Sequence, residues 1–394
     1  MLGNRVVIKF GGADLSNGEK IAHAAELVIK SAYTEKVVVV SAMGKMTDSL
    51  VGTVAQIGSI RDSDFAEIVS MGERTSARVF CSALKAKGAK AEFIDPTSDS
   101  WPIITDSRFC DARPNYEKTK EKVLESLLPL LQKTILVICG FLGKDASGNT
   151  TTLGRGGSDT TALLLANCLE ADEVVLVKET SGVLSADPKI VAETHFLDRI
   201  DIHELFDLAQ GGAKIVKAES LRYKLPDQRL RIVSVDSIDL SAGGTEVTGS
   251  LNSNSVEISA HNDVLAINVV CDVTPNNLQG IFSVLQARPI YGVSSGNNSI
   301  TVFTSDGSVN EVLNHLHQLG KFKAISHREK VALIQVNHPM FIDSPGAVAK
   351  ISNALRVEGI NIIEVTTSKA TINVFIEENQ LRRAEKAIGD VFES

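Results

Sequence analysis

The run Thr150-Thr-Thr-Leu-Gly-Arg-Gly-Gly-Ser-Asp-Thr160 gathers three glycines, an arginine, an aspartate and a series of hydroxyls into one short stretch. A strand-like segment, Thr134–Cys139, precedes it, and a helix-like segment, Thr160–Cys168, follows. A glycine-rich loop that opens a helix suits an anion. Its free N–H groups and the helix dipole point at the ligand, and glycine lets the backbone approach closely. Arg155 adds a planar fork matched to a carboxylate or phosphate. The same composition would also serve a plain connection, with Ser158 or Asp159 as the helix N-cap. Near the N-terminus, Lys9 ends the apolar run Val6-Val-Ile and is followed by Gly11-Gly12. A lysine inside so apolar a run is costly without a role. The C-terminal end of a parallel strand is also where ligands of α/β folds usually bind.

These residues need elements to hold them. The segments Arg5–Phe10, Lys36–Ser41, Thr134–Cys139, Glu173–Val177 and Leu230–Val235 are short, continuous and rich in Val, Ile and Leu, as buried parallel strands are. Between the first two, Ser16-Asn-Gly-Glu19 predicts a capping box, and Ile21, Ala24, Ala25 and Val28 mark one helical face. Ile68, Val69, Val79, Phe80, Ala83 and Leu84 mark another. Such alternation predicts an α/β/α sandwich around a mainly parallel sheet. Gly, Ser and Asn then crowd between Ser241 and Ser255, as in a connector. Beyond it, two similar strand–helix–strand–strand–helix units share an Ile-x-Val-Phe strand, at Ile300–Phe303 and Ile372–Phe375. That order is the ferredoxin-like βαββαβ pattern. The predicted organisation is a domain over 1–245, a connector over 246–262 and two units over 263–326 and 327–394, with interleaving of the two units open.

The 394 residues, 43% of them hydrophobic, suffice for two or three cored domains. A formal charge of −8 argues against a general nucleic-acid surface. No apolar run reaches the roughly 18–20 residues of a membrane span. The N-terminus runs directly into a strand and does not read as a signal peptide. Five cysteines without a CxxC suggest neither a disulfide framework nor a zinc site, and fit a reducing cytoplasm. The pattern predicts no metal held by side chains.

Thr152-Leu-Gly-Arg-Gly-Gly-Ser-Asp159 resembles the aspartate-binding loop of aspartokinases, in the amino-acid kinase superfamily. Val7–Gly12, Ser41–Thr47, Met71–Ser76 and Gly212–Val216 resemble further segments of that family in the same order, so the likeness covers nearly the whole chain. Asp343–Ile362 resembles an ACT domain, the small-molecule sensor attached to those enzymes. A ferredoxin-like pair that serves only to join subunits would have the same pattern.

The resemblance implies transfer of the γ-phosphoryl group of ATP, which brings Mg2+, to the side chain of L-aspartate, the first step towards lysine, threonine and methionine. A carboxylate nucleophile with a pKa of about 4 is already ionised. The demand falls on alignment and on positive charge that offsets anion–anion repulsion. By the resemblance, Lys9 contacts the transferred phosphate, Gly11 and Gly12 supply backbone donors, Lys214 holds nucleotide phosphates, and Asp159 orients Lys9. Arg155 would clamp the α-carboxylate, Glu73 would receive the α-ammonium, and Ser41, Thr47, Phe141, Gly156, Gly157 and Ser158 would line the pocket. A first-turn helix-dipole role is the alternative for Glu73. Lys178, Glu179, Gly182, Asp187 and Lys189 fall in the nucleotide segment. Lys178, Glu179, Thr180 and Leu184 depart from its usual Thr-Asp-Val-x-Gly-Val-Tyr, as Ala13 and Asp14 depart from Gly-Gly-Thr-Ser-Val and Lys217-Ala218 from His-Pro.

Two other readings stay open: a kinase for a different carboxylate or carbamate, and a catalytically inactive amino-acid sensor. In the ACT units, Asp343, Ser344, Gly346 and Asn361 are candidate effector contacts. Ile290–Ser299 carries no acidic residue to pair a ligand ammonium, so weak or absent inhibition by lysine is expected, with any response more in line with threonine. ACT units commonly pair across subunits, which implies a homodimer or larger.

Overall fold

The computed structural model describes residues 5–251, 256–286, 288–338, 341, 345–368 and 370–393. The chain divides at 252/253 into two compact units. The first begins with β1 (Arg5–Phe10), α1 (Gly18–Lys30), β2 (Glu35–Val40), α2 (Met46–Ile57), α3 (Asp62–Ala86) and β3 (Ala91–Ile94). Then come α4 (Tyr116–Lys122), α5 (Leu128–Leu131), β4 (Ile135–Cys139), β5 (Leu142–Lys144), β6 (Thr150–Thr152), α6 (Gly157–Cys168) and β7 (Glu173–Lys178). β8 (Arg199–Asp201), α7 (Ile202–Gln210), β9 (Arg229–Ser234) and β10 (Thr245–Thr248) complete it.

The main sheet runs β3-β4-β2-β1-β7-β9-β10-β8, parallel except where β10 meets β9. The chain works outward from β1 on one side through β2, and on the other through β7. The order therefore reverses between β1 and β7, and the crevice beyond their carboxyl ends is the expected ligand position. α6 leaves that crevice buried along its whole length and lies against β1, β2 and β7. A helix buried on every side has no solvent face, so its first turn is set by the packed core.

Local expectations met several corrections. Thr150–Thr152 is a strand, paired with β5. Its β-branched threonines favour that state, and Gly143 opposite leaves room where a Cβ would stand 2.4 Å from Thr105 Cγ2. Asn17, not Ser16, caps α1 and accepts from the Lys20 N–H at 2.9 Å. Glu73 lies in the middle of α3, so the helix-dipole role does not apply. Neither Ser158 nor Asp159 is the cap of α6. Gly156, at φ 73°, holds that position, a left-handed conformation that favours glycine.

The second unit holds β11 (Glu257–Val270), α8 (Pro275–Val284), β12 (Ile290–Ser295), β13 (Ser299–Ser305), α9 (Val309–Gln318) and β14 (Ala324–Asn337). α10 (Ala347–Val357), β15 (Ile362–Ser368), β16 (Thr371–Glu377) and α11 (Leu381–Glu393) follow. Its sheet order is β12-β13-β11-β14-β16-β15. β11 and β14 each serve two βαββαβ halves. Val264–Val270 pairs with β13 and with the first part of β14, whereas Glu257–His261 pairs with Leu333–Asn337 of β14. Residues read as connector thus split: 246–248 belong to the first sheet, and 257–261 supply an outer strand to the half built mainly from 331–393. Each long strand changes register near a residue of positive φ, Asp263 at 55° and Lys330 at 58°. Pairing across so long a separation leaves no local trace in sequence periodicity.

Candidate active site

Lys9, Asp14, Asp159 and Lys178 meet at the carboxyl ends of β1 and β7. Lys9 Nζ lies 2.7 Å from Asp159 Oδ1, and Lys178 Nζ lies 3.6 Å from the same oxygen. Asp159 comes from the first turn of α6, where the dipole favours an anion. Its Oδ2 accepts the Lys217 N–H at 3.2 Å. Burial would raise the Asp159 carboxyl, but Lys178, Lys9 and the Lys217 N–H outweigh it and hold it at about 2. Burial pulls the Lys178 ammonium down to about 8 against the opposing attraction of Asp159. Asp14 Oδ2 accepts the Gly11 N–H at 3.0 Å, and its buried Oδ1 has no hydrogen-bond partner. Burial raises its carboxyl despite the Gly11 N–H, Lys9 and Lys178.

Alongside stands a second group. Ser41 Oγ donates to Ser158 Oγ at 3.0 Å, joining the end of β2 to the first turn of α6. The Ala42 N–H donates to Glu73 Oε1 at 3.1 Å, while buried Oε2 has no hydrogen-bond partner. Burial pushes the Glu73 carboxyl up to about 7. A buried carboxylate oxygen without a partner suits an ammonium ligand, whose charge would offset the desolvation. Gly72 lets α3 come this close: a Cβ there would lie 2.8 Å from Ala42 Cβ and 3.3 Å from Thr47 Oγ1. Thr47 is therefore beside the same turn as Glu73. Phe141 adopts φ 68°, and its N–H donates to Thr161 Oγ1 at 3.1 Å. Gly140 and Gly157 are equally crowded, against Ser158 and Phe141 respectively.

Arg155 is exposed and makes no ion pair among the described residues. Lys217 braces the loop that carries it. Lys217 Nζ donates to the Leu153 carbonyl at 3.1 Å, and a Cβ at Gly156 would stand 2.8 Å from Lys217 Cβ. Lys214 precedes Lys217 on an exposed turn, also without an ion pair among the described residues. Gly12 packs against the loop after β2, where a Cβ would be 2.7 Å from the Ala42 carbonyl oxygen.

In the segment after β7, Gly182 has φ 146° and is crowded by Thr245 and Phe196. Asp187 Oδ1 accepts the Lys189 N–H at 2.9 Å, and both side chains are exposed. Glu179 faces Lys20 at 3.4 Å, and Lys20 Nζ also donates to the Ala13 carbonyl at 2.9 Å. The structure thus brings together Lys9, Asp159 and Lys178, and separately Ser41, Thr47, Glu73, Phe141 and Ser158. It leaves Arg155, Lys214, Asp187 and Lys189 facing solvent. Asp14 and Lys217 were not among the expected site residues, although both stood out as departures from the pattern. In the second unit Gly346 caps α10 at φ 98° and Asn361 is exposed. Asp343 and Ser344 lie outside the described residues.

A mainly parallel sheet with Lys9 buried and a glycine-rich helix start at its switch point is an α/β arrangement suited to an anionic ligand. The amino acid kinase family model matches residues 4–233, and an ACT domain model matches 326–390. The aspartokinase of Corynebacterium glutamicum is 31% identical over 98% of this chain and 96% of its own length. That of Corynebacterium efficiens is 30% identical over the same shares. Among solved structures, aspartate kinase from Synechocystis is similar at TM-score 0.72 and 25% identity, over 99% of this chain and 70% of its own. E. coli aspartokinase III in complex with aspartate and ADP shares the fold at TM-score 0.59 and 21% identity, over 99% of this chain and all of its own. The chain belongs to the amino acid kinase family, in its aspartokinase branch.

Among the described residues, no helix is long and apolar enough to cross a membrane.

Proposed function

We propose that this chain phosphorylates the side-chain carboxylate of L-aspartate with ATP, giving 4-phospho-L-aspartate. The observation that carries this reading is full-length similarity to aspartokinases combined with the Lys9–Asp159–Lys178 cluster at the switch point. In the step itself, a carboxylate oxygen of aspartate forms a bond to the γ-phosphorus. The bond from that phosphorus to the β,γ-bridging oxygen breaks, and ADP leaves with the electron pair. No proton needs to move, because the nucleophile is already an anion.

The protein's task is therefore electrostatic. Lys9, held by Asp159, supplies fixed charge to the phosphoryl group. Gly11 and Gly12 offer backbone donors, and Lys214 would close over the nucleotide from its exposed turn. Mg2+ would enter with ATP and neutralise the β- and γ-oxygens. Glu73 accepts the substrate ammonium, Arg155 folds onto its α-carboxylate, and Ser41, Thr47 and Ser158 supply hydroxyls beside Phe141. Gly182, Asp187, Lys189 and Glu179 stand on the nucleotide side. The ACT units would bind an amino-acid effector or join subunits into a homodimer or larger, in a cytoplasmic enzyme.

Incubation with ATP, Mg2+ and single amino acids, followed by trapping with hydroxylamine, tests the activity. Hydroxamate with aspartate alone supports it. Hydroxamate with a different amino acid, or none with any, overturns it.

A further inference from the structure

The nucleotide segment resembles one that faces the base and ribose, yet the side chain of its first departing residue lies elsewhere. Lys178 is the last residue of β7, one register step beyond Val177, which pairs with Phe10 of β1. Its ammonium points to the oxygen of Asp159 that also holds Lys9. Two lysines from neighbouring parallel strands thus converge on one carboxylate oxygen at the switch point. Like charges so placed repel, and the arrangement persists only with anions present. Asp159 is one anion. Asp14 is the second, within electrostatic reach of both lysines and with one buried oxygen unpartnered.

The two departures from the family pattern are coupled in space. Ala13-Asp14 faces Lys178-Glu179: the Asp14 and Lys178 charges interact, and Lys20 bridges Glu179 to the Ala13 carbonyl. An extra anion beside an extra cation keeps the centre near neutral. A triphosphate then meets two cations, one of which has only a weak internal partner at 3.6 Å.

We propose that Lys178 is a second catalytic cation, which contacts the phosphoryl group in transfer together with Lys9 and is counterbalanced by Asp14 until the triphosphate binds. This rests on the phosphoryl-transfer reading above. The bonds made and broken are those already given. Lys178 donates hydrogen bonds to the phosphoryl group and to the β,γ-bridging oxygen, where negative charge builds as ADP leaves, and it keeps its proton throughout. The groups facing it are Lys9 from β1, Asp14 from the turn after β1 and Asp159 from α6, with Glu179 as its chain neighbour, itself paired to Lys20 of α1. Since the Lys178 ammonium sits at about 8, its charge is present below that pH and lost above it.

The experiment uses the full chain in the hydroxylamine assay, with kcat and both KM values followed from pH 6.5 to 9.5. Lys178→Met should lower kcat about 100-fold while leaving the KM for aspartate within about threefold. Lys178→Arg should keep at least about a tenth of the rate and carry the fall in kcat/KM for ATP above pH 8 to higher pH. Asp14→Asn, which removes the counter-charge, should move that fall to lower pH. The Arg and Asn variants keep the test decisive if the Met variant does not fold. A Met variant within about threefold of wild-type kcat, or an alkaline fall unmoved by both other variants, overturns the proposal while wild-type hydroxamate leaves the activity standing. A wild-type chain that makes no aspartyl hydroxamate overturns both.

Discussion

The two units bury different things. In the first, Lys9, Asp14, Glu73 and Asp159 are all buried within reach of one crevice, and burial itself displaces the carboxyls of Asp14 and Glu73 upward. In the second, the buried side chains among the described residues are apolar, with Thr304 the one polar exception. Its cores are Ile, Val and Leu under the helices, and a separate cluster in which Phe303 and Phe375 stack at 3.8 Å. Ionised groups in a packed interior cost free energy unless paired. Here the orphaned oxygens of Glu73 and Asp14 leave pairing for a ligand to complete, which points to the first unit for the chemistry. The second is packed almost wholly with apolar side chains among its described residues.

Neutralising a buried charge of the crevice gives the largest test of that contrast. Lys9→Met, similar in length, should lower kcat on the order of a thousandfold with the fold retained, read by hydroxamate formation alongside circular dichroism. A variant that keeps a tenth of the rate would show that Lys9 is not catalytic.

Next comes the exposed Arg155. Its replacement by Ala should raise the KM for aspartate tens- to several-hundred-fold, about 2–4 kcal/mol, with little change for ATP. Equal loss for both substrates would move Arg155 to the phosphates.

Glu73 links the crevice to stability. Its folded carboxyl, at about 7, lies above the ordinary 4.5. The native state therefore binds the proton more tightly, and stability declines as pH rises from 4.5 to 7 and then levels. Glu73→Gln should raise stability at pH 8 by about 1–3 kcal/mol, measured by urea denaturation. It should also depress kcat/KM for aspartate and remove the fall in that parameter below about pH 7. A variant less stable at pH 8 would show that Glu73 holds the fold rather than the substrate.

The smallest effect is expected in the second unit. With no acidic residue in Ile290–Ser299 to pair an ammonium, lysine should inhibit weakly or not at all at subsaturating aspartate. Inhibition at low-millimolar lysine or below, in a titration of each amino acid, would refute this.

Much of this molecule was legible in its sequence. The apolar runs at β1, β2, β4, β7 and β9 are the buried strands their composition suits, and the glycines before Ser158 marked the start of a helix. The apolar face Ile21, Ala24, Ala25 and Val28 is buried as its spacing requires. These features depend on neighbours in the chain, where backbone propensity and side-chain period act directly. The short strands β3, β8 and β10 carry too few residues for a pattern to register.

Contacts across long separations were set by the tertiary packing. Glu73 meets the Ala42 N–H because Gly72 lets α3 approach Ala42 and Thr47 closely. Lys217 offers its N–H to Asp159 because α7 returns its following turn to the crevice. Glu257–His261 joins the far half of its sheet because β11 is long enough to serve two partners. Lys178 reaches Lys9 because β7 lies beside β1 rather than beside a sequence neighbour. Sheet order is settled by the simultaneous packing of all the strands, and no local run of residues encodes it.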